Sequence, residues 1–596
     1  MQFSPVSAGA FGTIPVWPAA ADLPGVSAAL ATARVLVKDI DAPSAVTTAR
    51  GVLVAAIGAF WTVLSPGSKP REPIWKDEIV SVSPDLIAIA DRIGTAAAGL
   101  CLEVACDLLG RLYCSLLPRS LRANQGSYYT PPALAVLLLQ RATEAGTDWR
   151  SCRVLDPACG GGALLLPALR RLLAAIGDCG PVVVLAEVAD RLRGTDLDPA
   201  AAWLAQVMID AALLPWTSQI GLGAPRIVQV ADSLDTRQMA AFDLIVGNPP
   251  YGTIALSGEQ KARFARSTHG RANLYGLFLD RALDLVLPGG VIAYLTPTSC
   301  LGGEYYKNLR ALLAREAPPN TIDFIVQRGG VFDACQETML TTWWRGASPG
   351  PIRVSEIRVK GQQTAIRPLG LGQLPCDPAA PWPLPRRVAH ALVAPALHRA
   401  PHRLEDWGYR VRTGPVDASR HKGSVAAEPA PGYVPLIWAE AVRPAGLVWP
   451  GSPRRQAAWF DARGNERLLV RTPALLLQRT TAPEQPRRLV AAPLTAALLR
   501  EHGATAIENH VNLVEPIAAT PPVSLEALAA FLGSAAADTA FRCLSGSVAV
   551  SAYELRALPL PRAAEMGPLS RMLLADTGTV EVEAECRRLY RNCTGS

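Results

Sequence analysis

The sequence predicts an α/β fold built on a doubly wound sheet, with a helical region before it and a mixed α/β domain after it. An apolar run ends in Asp156 and leads through three consecutive glycines into a segment with helical spacing, the order of a first strand, a ligand-binding loop and a first helix. Asp196 is expected to end a second strand, and a further apolar run ends close to Asp232. A length of 596 residues, with 49% hydrophobic and 18% charged residues, predicts about three domains with substantial cores.

The loop after the first strand reads Asp-Pro-Ala-Cys-Gly-Gly-Gly over residues 156–162. Glycine is needed where the backbone turns sharply and approaches a ligand that a Cβ would touch. The loop has neither Gly-x-Gly-x-x-Gly nor Gly-Lys-Ser/Thr spacing, which argues against a dinucleotide or a triphosphate. An adenosyl group with a charged amino-acid tail fits better. We interpret Cys159 as a small buried side chain and not as a reactive thiol.

Two more acids follow where such a ligand would be bound. Asp196 is expected at the end of a second strand, where its carboxylate can accept both ribose hydroxyls. Asp232 is expected at the end of a third strand, placed to accept from an adenine amino group. Each acid alone is more often a loop cap. Acids that end three successive strands are a stronger signal together.

A fourth apolar run leads into the tetrapeptide Asn248-Pro249-Pro250-Tyr251. An Asn carboxamide oxygen and a main-chain carbonyl of a rigid Pro-Pro turn can accept both hydrogens of an exocyclic amine, which frees the nitrogen lone pair for attack on an electrophilic methyl group. The Tyr251 ring can stack on the base. In isolation the tetrapeptide could equally be an ordinary turn after a buried strand.

In this order the segments resemble an adenine-N6 DNA methyltransferase that uses S-adenosylmethionine, of the TaqI-like group with gamma-type motif order. Residues 126–131 resemble the motif that opens the catalytic domain and contacts the methionine part of the cofactor, residues 273–279 and 287–294 resemble the helix and strand after the catalytic motif, and residues 330–332 resemble a later motif whose Phe332 lies against the flipped base. The resemblance covers about residues 108–344. The consecutive glycines depart from the usual Gly-x-Gly of the family without removing a backbone donor.

The resemblance implies a seven-stranded methyltransferase sheet and S-adenosylmethionine as cofactor. The catalytic residues it implies are Asn248, Pro249, Pro250 and Tyr251, with Tyr251 and Phe332 stacking on the base. The cofactor-binding residues it implies are Thr130, Pro131, Asp156, Ala158, Gly160, Gly162, Asp196 and Asp232. No metal is implied.

Four regions are expected: a helical N-terminal region over 1–120, the catalytic domain over 121–355, a linker over 356–385 that is rich in Pro, Arg and Gly, and a target-recognition domain over 386–596. The net charge of +7, mostly from arginine, is compatible with double-stranded DNA as partner. Basic residues suited to DNA contact are Arg410, Arg412, Arg420, Lys422, Arg454 and Arg455.

The N-terminal region is expected to contain no fused nuclease, because Pro84-Asp85 is not followed by an Asp-x-Lys or Glu-x-Lys before the catalytic domain. Twelve cysteines without a Cys-x-x-Cys pair suggest neither a zinc ribbon nor a disulfide framework, so a reducing cytoplasm is expected. The apolar run over 51–64 is too short for a membrane span, and the first residues do not resemble a secretory leader. No membrane association is therefore expected.

The expected function is site-specific methylation of adenine N6 in DNA, within a restriction-modification or phage-defence system. A separate restriction nuclease or other defence subunits are further partners that this role allows. Two alternatives stay open. The same tetrapeptide chemistry serves methylation of RNA bases and of glutamine side chains in proteins, and a catalytically silent relative could serve only as the DNA-recognition subunit of a defence complex.

Overall fold

The computed structural model describes residues 25–75, 82–118, 130–235, 241–326, 337–360, 363–450, 457–481 and 484–593. The chain forms two compact units. The first unit contains Met1–Pro297 and Ala311–Pro368, and the second contains Thr298–Arg310 and Leu369–Ser596. The helical N-terminal region therefore belongs to the same unit as the predicted catalytic domain, and the second unit takes a short segment from before residue 311.

The N-terminal region is helical, as predicted. Its helices are α1 (Val26–Leu36), α2 (Ala42–Leu64), α3 (Pro84–Ala98) and α4 (Leu102–Leu116). Ser83 caps α3 by accepting a hydrogen bond from the Leu86 N–H, and Pro84 follows at the first helical position, where its missing N–H costs nothing. Asp85 thus stands in the first turn of a capped helix, where its charge favours the helix dipole. Pro84 and Asp85 thus have a structural role at the start of this helix.

Helix α2 is longer than the apolar run over residues 51–64 suggested. It has 23 residues, and by length and composition alone it and the later helix Pro199–Ile220 could each cross a membrane; a bent pair, Leu525–Leu532 with Ala535–Leu544, meets the same criterion as one span. The expectation that the run is too short for a span was therefore wrong. In the structure, 44% of the apolar 18-residue stretch of α2 and 78% of the corresponding stretch of Pro199–Ile220 are buried inside the protein.

The first unit is built around a nine-stranded sheet. Its strands are β1 (Val154–Asp156), β2 (Leu192–Asp196), β3 (Val228–Val230), β4 (Phe242–Gly247), β7 (Val286–Pro297), β8 (Pro319–Ile325), β9 (Thr338–Trp344), β10 (Ile352–Lys360) and β11 (Gln363–Gly372), and β5 (Thr253–Ile254) and β6 (Ala272–Asn273) form a separate pair. The sheet order is β11-β10-β8-β9-β7-β4-β1-β2-β3. Strands β3, β2, β1, β4 and β7 run parallel to one another, β8 and β10 form a second parallel pair, and β9 is antiparallel to both β7 and β8.

Strands β10 and β11 correct two expectations. The sheet has nine strands and not seven, and about half of the linker expected over residues 356–385 consists of these strands. The remainder is not a solvated linker either, because Trp382 and Leu384 are buried in the second unit. Ile352 and the four consecutive residues 354–357 of β10 are buried, and this burial explains why a segment between Pro- and Gly-rich stretches forms a strand of the sheet.

Helices connect the strands of this sheet; the one over Ser299–Gly302 and the first four residues of the one that follows it belong to the second unit. They are α5 (Pro132–Glu144), α6 (Leu165–Ile176), α7 (Pro181–Arg191), α8 (Pro199–Ile220), α9 (Gly258–Arg263), α10 (Leu274–Leu285), α11 (Ser299–Gly302) and α12 (Lys307–Glu316). Asp198 caps α8 by accepting from the Ala200 N–H, and Pro199 follows it. Helix α8 packs on α4 and on β3, so a single core joins the N-terminal helices to this side of the sheet. Burial of an apolar side chain contributes roughly 1.5–3 kcal/mol, which makes this region integral to the unit.

The second unit is mixed α/β, as predicted for the C-terminal domain. It has a four-stranded antiparallel sheet in the order β12-β22-β19-β20, a five-stranded sheet in the order β13-β17-β14-β21-β18, and the pair β15-β16. The strands are β12 (Tyr409–Thr413), β13 (Val425–Ala426), β14 (Tyr433–Ile437), β15 (Val442–Arg443), β16 (Gly446–Leu447), β17 (Trp459–Asp461), β18 (Leu469–Val470), β19 (Ala474–Gln478), β20 (Ala491–Leu494), β21 (Thr505–Ile507) and β22 (Val511–Pro516). The helices are α13 (Ala394–Leu397), α14 (Ala496–His502), α15 (Leu525–Leu532), α16 (Ala535–Leu544), α17 (Ala552–Ala557), α18 (Gly567–Leu574) and α19 (Thr579–Asn592).

Buried Arg310 ties the segment Thr298–Arg310 into the second unit. Its guanidinium donates to the carbonyls of Cys300, Gly303 and Ala379, and to the hydroxyl of Tyr553. Burial lowers the pKa of Arg310, and these acceptors offset the cost of removing its charge from water. The start expected for the C-terminal domain, residue 386, is therefore later than the boundary of the compact unit.

Candidate active site

The carboxyl ends of four adjacent parallel strands gather the predicted site residues at one edge of the sheet. Asp156 is the last residue of β1 and Asp196 the last of β2, and Asp232 lies two residues beyond the end of β3. Asn248 directly follows β4. Because β4, β1, β2 and β3 are neighbours in that order, three acids and the Asn follow one another along the edge where ligands bind in doubly wound sheets.

The loop after β1 uses two of its glycines in different ways. Gly162 has φ +96°, and a Cβ there would lie 3.2 Å from the Cα of Ala205 on α8, so the glycine permits close packing of loop on helix. Gly160 has φ +52°, and a Cβ there would meet no atom within 4 Å. Gly160 therefore borders open space on which a ligand can lie against bare backbone. Cys159 is buried, and burial raises the pKa of its thiol well above the ordinary value, as a structural role requires.

Asp196 joins the loop to the end of β2. One carboxylate oxygen accepts from the Gly160 N–H at 2.8 Å, and the other accepts from the Asp198 N–H at 2.9 Å. Removal from water raises the pKa of Asp196 to about 6, against the opposing effect of these hydrogen bonds. Each carboxylate oxygen can accept more than one hydrogen bond, so both keep capacity for ribose hydroxyls.

Asp156 lies deeper than the other acids. It is 1% exposed, and one of its oxygens accepts from the Ala158 N–H at 3.1 Å. Burial, with a smaller contribution from the negative charge of Asp196, raises the pKa of Asp156 to about 8. Nearby, Tyr294 of β7 is fully buried, and its hydroxyl has no hydrogen-bond partner among the residues that the structure describes. A Cβ at Gly247 would lie 3.0 Å from the Tyr294 ring, so this glycine makes room for that side chain.

Asn248 is held at both ends of its carboxamide. Its amide nitrogen donates to the hydroxyl oxygen of Thr130 at 3.1 Å, and its carboxamide oxygen accepts from the Tyr251 hydroxyl at 2.7 Å. Thr130 is buried and directly precedes Pro131, whose carbonyl accepts from the first turn of α5. The contact of Thr130 with the cofactor, expected from the motif, stays a prediction. The hydrogen bond from Asn248 to Thr130 was not expected from the sequence. These two hydrogen bonds hold the carboxamide with its nitrogen toward Thr130 and its oxygen toward Tyr251.

Tyr251 is packed inside the site and not displayed on its surface. It is 8% exposed, and its ring meets Tyr275 edge to face at 6.2 Å between centroids. Pro249 is buried and Pro250 half-buried, and neither has an N–H that could compete for the main-chain carbonyl. Stacking of Tyr251 on a base stays a prediction, and Phe332 lies outside the described residues. The Asp232 carboxylate accepts a hydrogen bond from the Leu234 N–H at 2.9 Å, which caps the local turn. The expected contact of Asp232 with the adenine amino group stays a prediction.

Helix α4 supplies two contacts that the sequence did not indicate. The Tyr113 hydroxyl donates to Asp198 at 2.8 Å, and the Cys106 thiol lies 3.1 Å from the carbonyl oxygen of Gly161. Since the Asp198 N–H donates to Asp196, the N-terminal region supports both the glycine loop and the acid after β2. Nothing local marks Tyr113 or Cys106, because both contacts arise only when α4 packs on the sheet unit.

The predicted DNA-binding residues differ in their surroundings. Arg410 and Arg412 both pair with Glu515, and the pair with Arg412 is bidentate, at 2.8 and 2.9 Å. Arg420 is exposed and pairs with Asp417, and Lys422 is exposed. Arg454 and Arg455 lie outside the described residues. The structure therefore brings Arg410 and Arg412 together around one carboxylate, while DNA contact by all six stays a prediction.

Comparison with known proteins adds independent information. The family model described as "Eco57I restriction-modification methylase" matches residues 221–332, which include the Asn248-Pro249-Pro250-Tyr251 turn. The chain is similar to restriction-modification methyltransferases. It is 26% identical over 333 residues to the type II methyltransferase M.PstI of Providencia stuartii, covering 54% of this chain and 65% of that protein. It is 22% identical over 505 residues to the type II methyltransferase M.BsuBI of Bacillus subtilis, covering 80% of this chain and 96% of that protein. These relatives confirm the resemblance found in the motifs.

A solved structure matches nearly the whole of this chain. The type IIL restriction-modification enzyme MmeI, in complex with DNA, has a TM-score of 0.55 with 12% identity, covering 98% of this chain and 97% of that one. At this identity the match concerns the fold alone. It confirms the predicted class, a large central α/β sheet with a helical N-terminal region and further domains.

Proposed function

We propose that this chain is a site-specific DNA methyltransferase that transfers the methyl group of S-adenosylmethionine to N6 of an adenine turned out of the duplex. The observation that carries the proposal is the placement of Asn248, which stands at the carboxyl end of β4 with its carboxamide oriented by Thr130 and Tyr251. The relationship to type II methyltransferases, over 96% of one of them, supports methylation of DNA as the reaction.

The residues fit the cofactor. Gly160 leaves open space over the loop after β1, and Asp196 and Asp232 follow neighbouring strands with acceptor capacity left for ribose hydroxyls and an adenine amino group. When bound there, S-adenosylmethionine supplies an electrophilic methyl group on a sulfonium. The contacts of Thr130, Pro131 and Ala158 expected from the motifs belong to the same proposal.

Asn248 and the Pro249 carbonyl act on the amine. The lone pair of adenine N6 is delocalised into the ring, so the free amine is a poor nucleophile. When the carboxamide oxygen and the carbonyl accept its two hydrogens, the nitrogen moves toward tetrahedral geometry and its lone pair becomes available for attack. The Asn248 oxygen has two lone pairs, so it can accept from the base while it keeps the Tyr251 bond. The extra proton on nitrogen leaves after transfer, and no general base of ordinary kind is required.

Specificity requires other residues than these. A pocket for one extruded base can select adenine but cannot read the flanking pairs, which must be read in the grooves. We assign that reading to the C-terminal part of the chain beyond about Pro385. A restriction-modification or defence role, partner subunits such as a separate nuclease, and a cytoplasmic location without membrane contact belong to this proposal.

Transfer of label from methyl-labelled S-adenosylmethionine to double-stranded genomic DNA tests the reaction, with nucleoside analysis to identify the product. We expect N6-methyladenine with the wild type and none with Asn248→Ala. Long-read sequencing of DNA from a host that expresses the chain should then show methylated adenines in one defined sequence context.

The alternatives predict different results in the same assay. Label on protein or RNA with none on DNA would replace this proposal with methylation of glutamine or of RNA. DNA binding without any label, in protein that binds the cofactor, would point to a silent recognition subunit. The intact Asn248-Pro249-Pro250-Tyr251 turn and its bonded carboxamide favour the active enzyme.

A further inference from the structure

The second unit contains a concave site that its sequence motifs did not indicate. A cavity of about 330 Å³ lies against the end of β12 and the start of α17. Three arginines line it, Arg412, Arg479 and Arg556. Its other lining residues are Glu304, Val411, Thr413, Ser551, Ala552 and Tyr553.

The positive charge of the arginines around this cavity is only partly balanced by carboxylates. Arg412 is paired with Glu515, but Glu515 also pairs with Arg410, so one carboxylate serves two guanidinium groups. Arg479 donates to the main-chain carbonyl of Asn509 at 3.0 Å, a partner without net charge.

No ion pair holds Arg556 within the described part of the chain, and its side chain is exposed. Glu304 is the one acid among the lining residues. Arg410, Arg412, Arg479 and Arg556 outnumber the carboxylates of Glu304, Glu515 and Glu554, the last of which accepts from the hydroxyl of the lining residue Ser551. The remaining positive charge acts at a concave surface, where a field is stronger than on a flat one.

The positions of the guanidinium groups favour a compact tetrahedral anion. Arg479 follows directly on β19, and its own N–H donates to the His510 carbonyl, so its stem starts from a fixed backbone. Arg412 is held in place by a bidentate pair. Guanidinium groups bind phosphate oxygens through paired N–H donors, and donors that are already oriented lose less entropy on binding.

We propose that this cavity binds a phosphate of the DNA backbone and so fixes the position of the second unit on the duplex. The proposal rests on DNA being the substrate. Phosphate contacts position a protein without reading sequence, so the cavity contributes affinity and orientation to any duplex. It adds Arg479 and Arg556 to the residues considered for DNA contact.

The test uses the full-length double variant R479Q/R556Q. Glutamine keeps length and polarity while it removes both charges, and Arg412 is left alone because its loss would strand Glu515 without its bidentate partner. The matched control is R571Q/R587Q, which removes two exposed arginines, one from α18 and one from α19, that do not line the cavity. Cooperative thermal unfolding at a temperature close to that of the wild type, together with unchanged S-adenosylmethionine affinity, checks that each variant is folded.

Binding to a fluorescent duplex is measured over a series of salt concentrations. We expect R479Q/R556Q to bind about tenfold more weakly than the control. The slope of log affinity against log salt should be shallower by about 0.9 for each phosphate that the variant no longer neutralises. A duplex with the methylated sequence and an unrelated duplex should lose affinity by the same factor.

Two results would overturn the inference alone: affinity and slope equal to those of the control, or a loss confined to the methylated sequence, which would mean that the arginines read bases. A wild-type chain that binds no duplex at any salt concentration would instead overturn the proposed function, and the inference with it.

Discussion

The hydroxyl of Tyr251 donates a 2.7 Å hydrogen bond to the carboxamide oxygen of Asn248, the oxygen assigned to the substrate amine. Tyr251 lies three residues beyond Asn248 in the same Pro-Pro turn, so the turn itself brings these groups together. The bond orients the carboxamide before a base arrives. Tyr251 therefore has a positioning role in addition to the expected stacking on the base.

Tyr251→Phe separates these two roles, because it keeps the ring and removes the bond. A net hydrogen bond is worth about 0.5–1.5 kcal/mol, so we expect the single-turnover methylation rate to fall about two- to tenfold with cofactor affinity unchanged. Tyr251→Ala, which removes the ring as well, should lose considerably more. Tyr433→Phe, on β14 of the second unit, is the matched control. A Tyr251→Phe rate equal to that of the wild type would assign the residue to stacking alone.

Asn248→Ala removes the group that activates the amine. We expect no measurable turnover, while S-adenosylmethionine binds with nearly wild-type affinity by calorimetry. The Asn248 side chain bonds to Thr130 and Tyr251, and no cofactor contact was predicted for it. Substantial residual methylation in this variant would contradict the mechanism.

Asp196→Ala acts on the cofactor site. The substitution removes acceptors for ribose hydroxyls and also releases the Gly160 N–H of the loop, so we expect cofactor binding to weaken by about 1–3 kcal/mol. Calorimetry measures the loss directly. Asp235→Ala, which alters an acid on the following loop to which no role is assigned, should bind the cofactor as the wild type does. Equal affinities for wild type and Asp196→Ala would remove Asp196 from the site.

Tyr113→Phe tests the support that the N-terminal region gives to the same site. Its hydroxyl bonds to the carboxylate of Asp198, whose N–H in turn bonds to Asp196. A hydrogen bond to a charged group contributes about 1.5–3 kcal/mol, so we expect lower thermal stability together with weaker cofactor binding. Reduced stability with wild-type cofactor affinity, measured well below the unfolding temperature, would show that the bond is structural only.

The raised pKa of Asp156 predicts that the free energy of unfolding of the cofactor-free protein depends on pH. Burial raises the pKa of its carboxyl from 3.8 to about 8. Between these values the folded chain holds a proton that the unfolded chain has lost, so the free energy of unfolding falls as pH rises through this window and levels off above it. Asp196, with its pKa raised to about 6, acts in the same direction.

Asp156→Asn keeps an acceptor for the Ala158 N–H and removes the titration. Relative to the wild type, this variant should therefore gain stability steadily from pH 5 to pH 8, as measured by urea unfolding at each pH. Parallel pH profiles for the two proteins would show that Asp156 titrates near its ordinary value.

The sequence by itself determined the order of the site. Apolar runs that end at Asp156 and Asn248 mark two of the strands, and Asp196 and Asp232 mark the ends of two more. Parallel neighbours must present their carboxyl ends at one edge. The α/β class, the helices of the N-terminal region and the mixed C-terminal domain follow from the same short-range patterns. These patterns need no knowledge of how distant segments pack.

Tertiary structure alone decided the contacts between distant segments. Thr130 meets Asn248 across 118 positions, and Tyr113 meets Asp198 across 85, and neither pairing leaves a local pattern. Residues 356–372 were expected to form part of a linker because this part of the chain is rich in Pro, Arg and Gly, yet they continue β10 and form β11 in the sheet. Side-chain burial and hydrogen bonding over long sequence separations depend on the packed core, and periodicity reports only the nearest few residues.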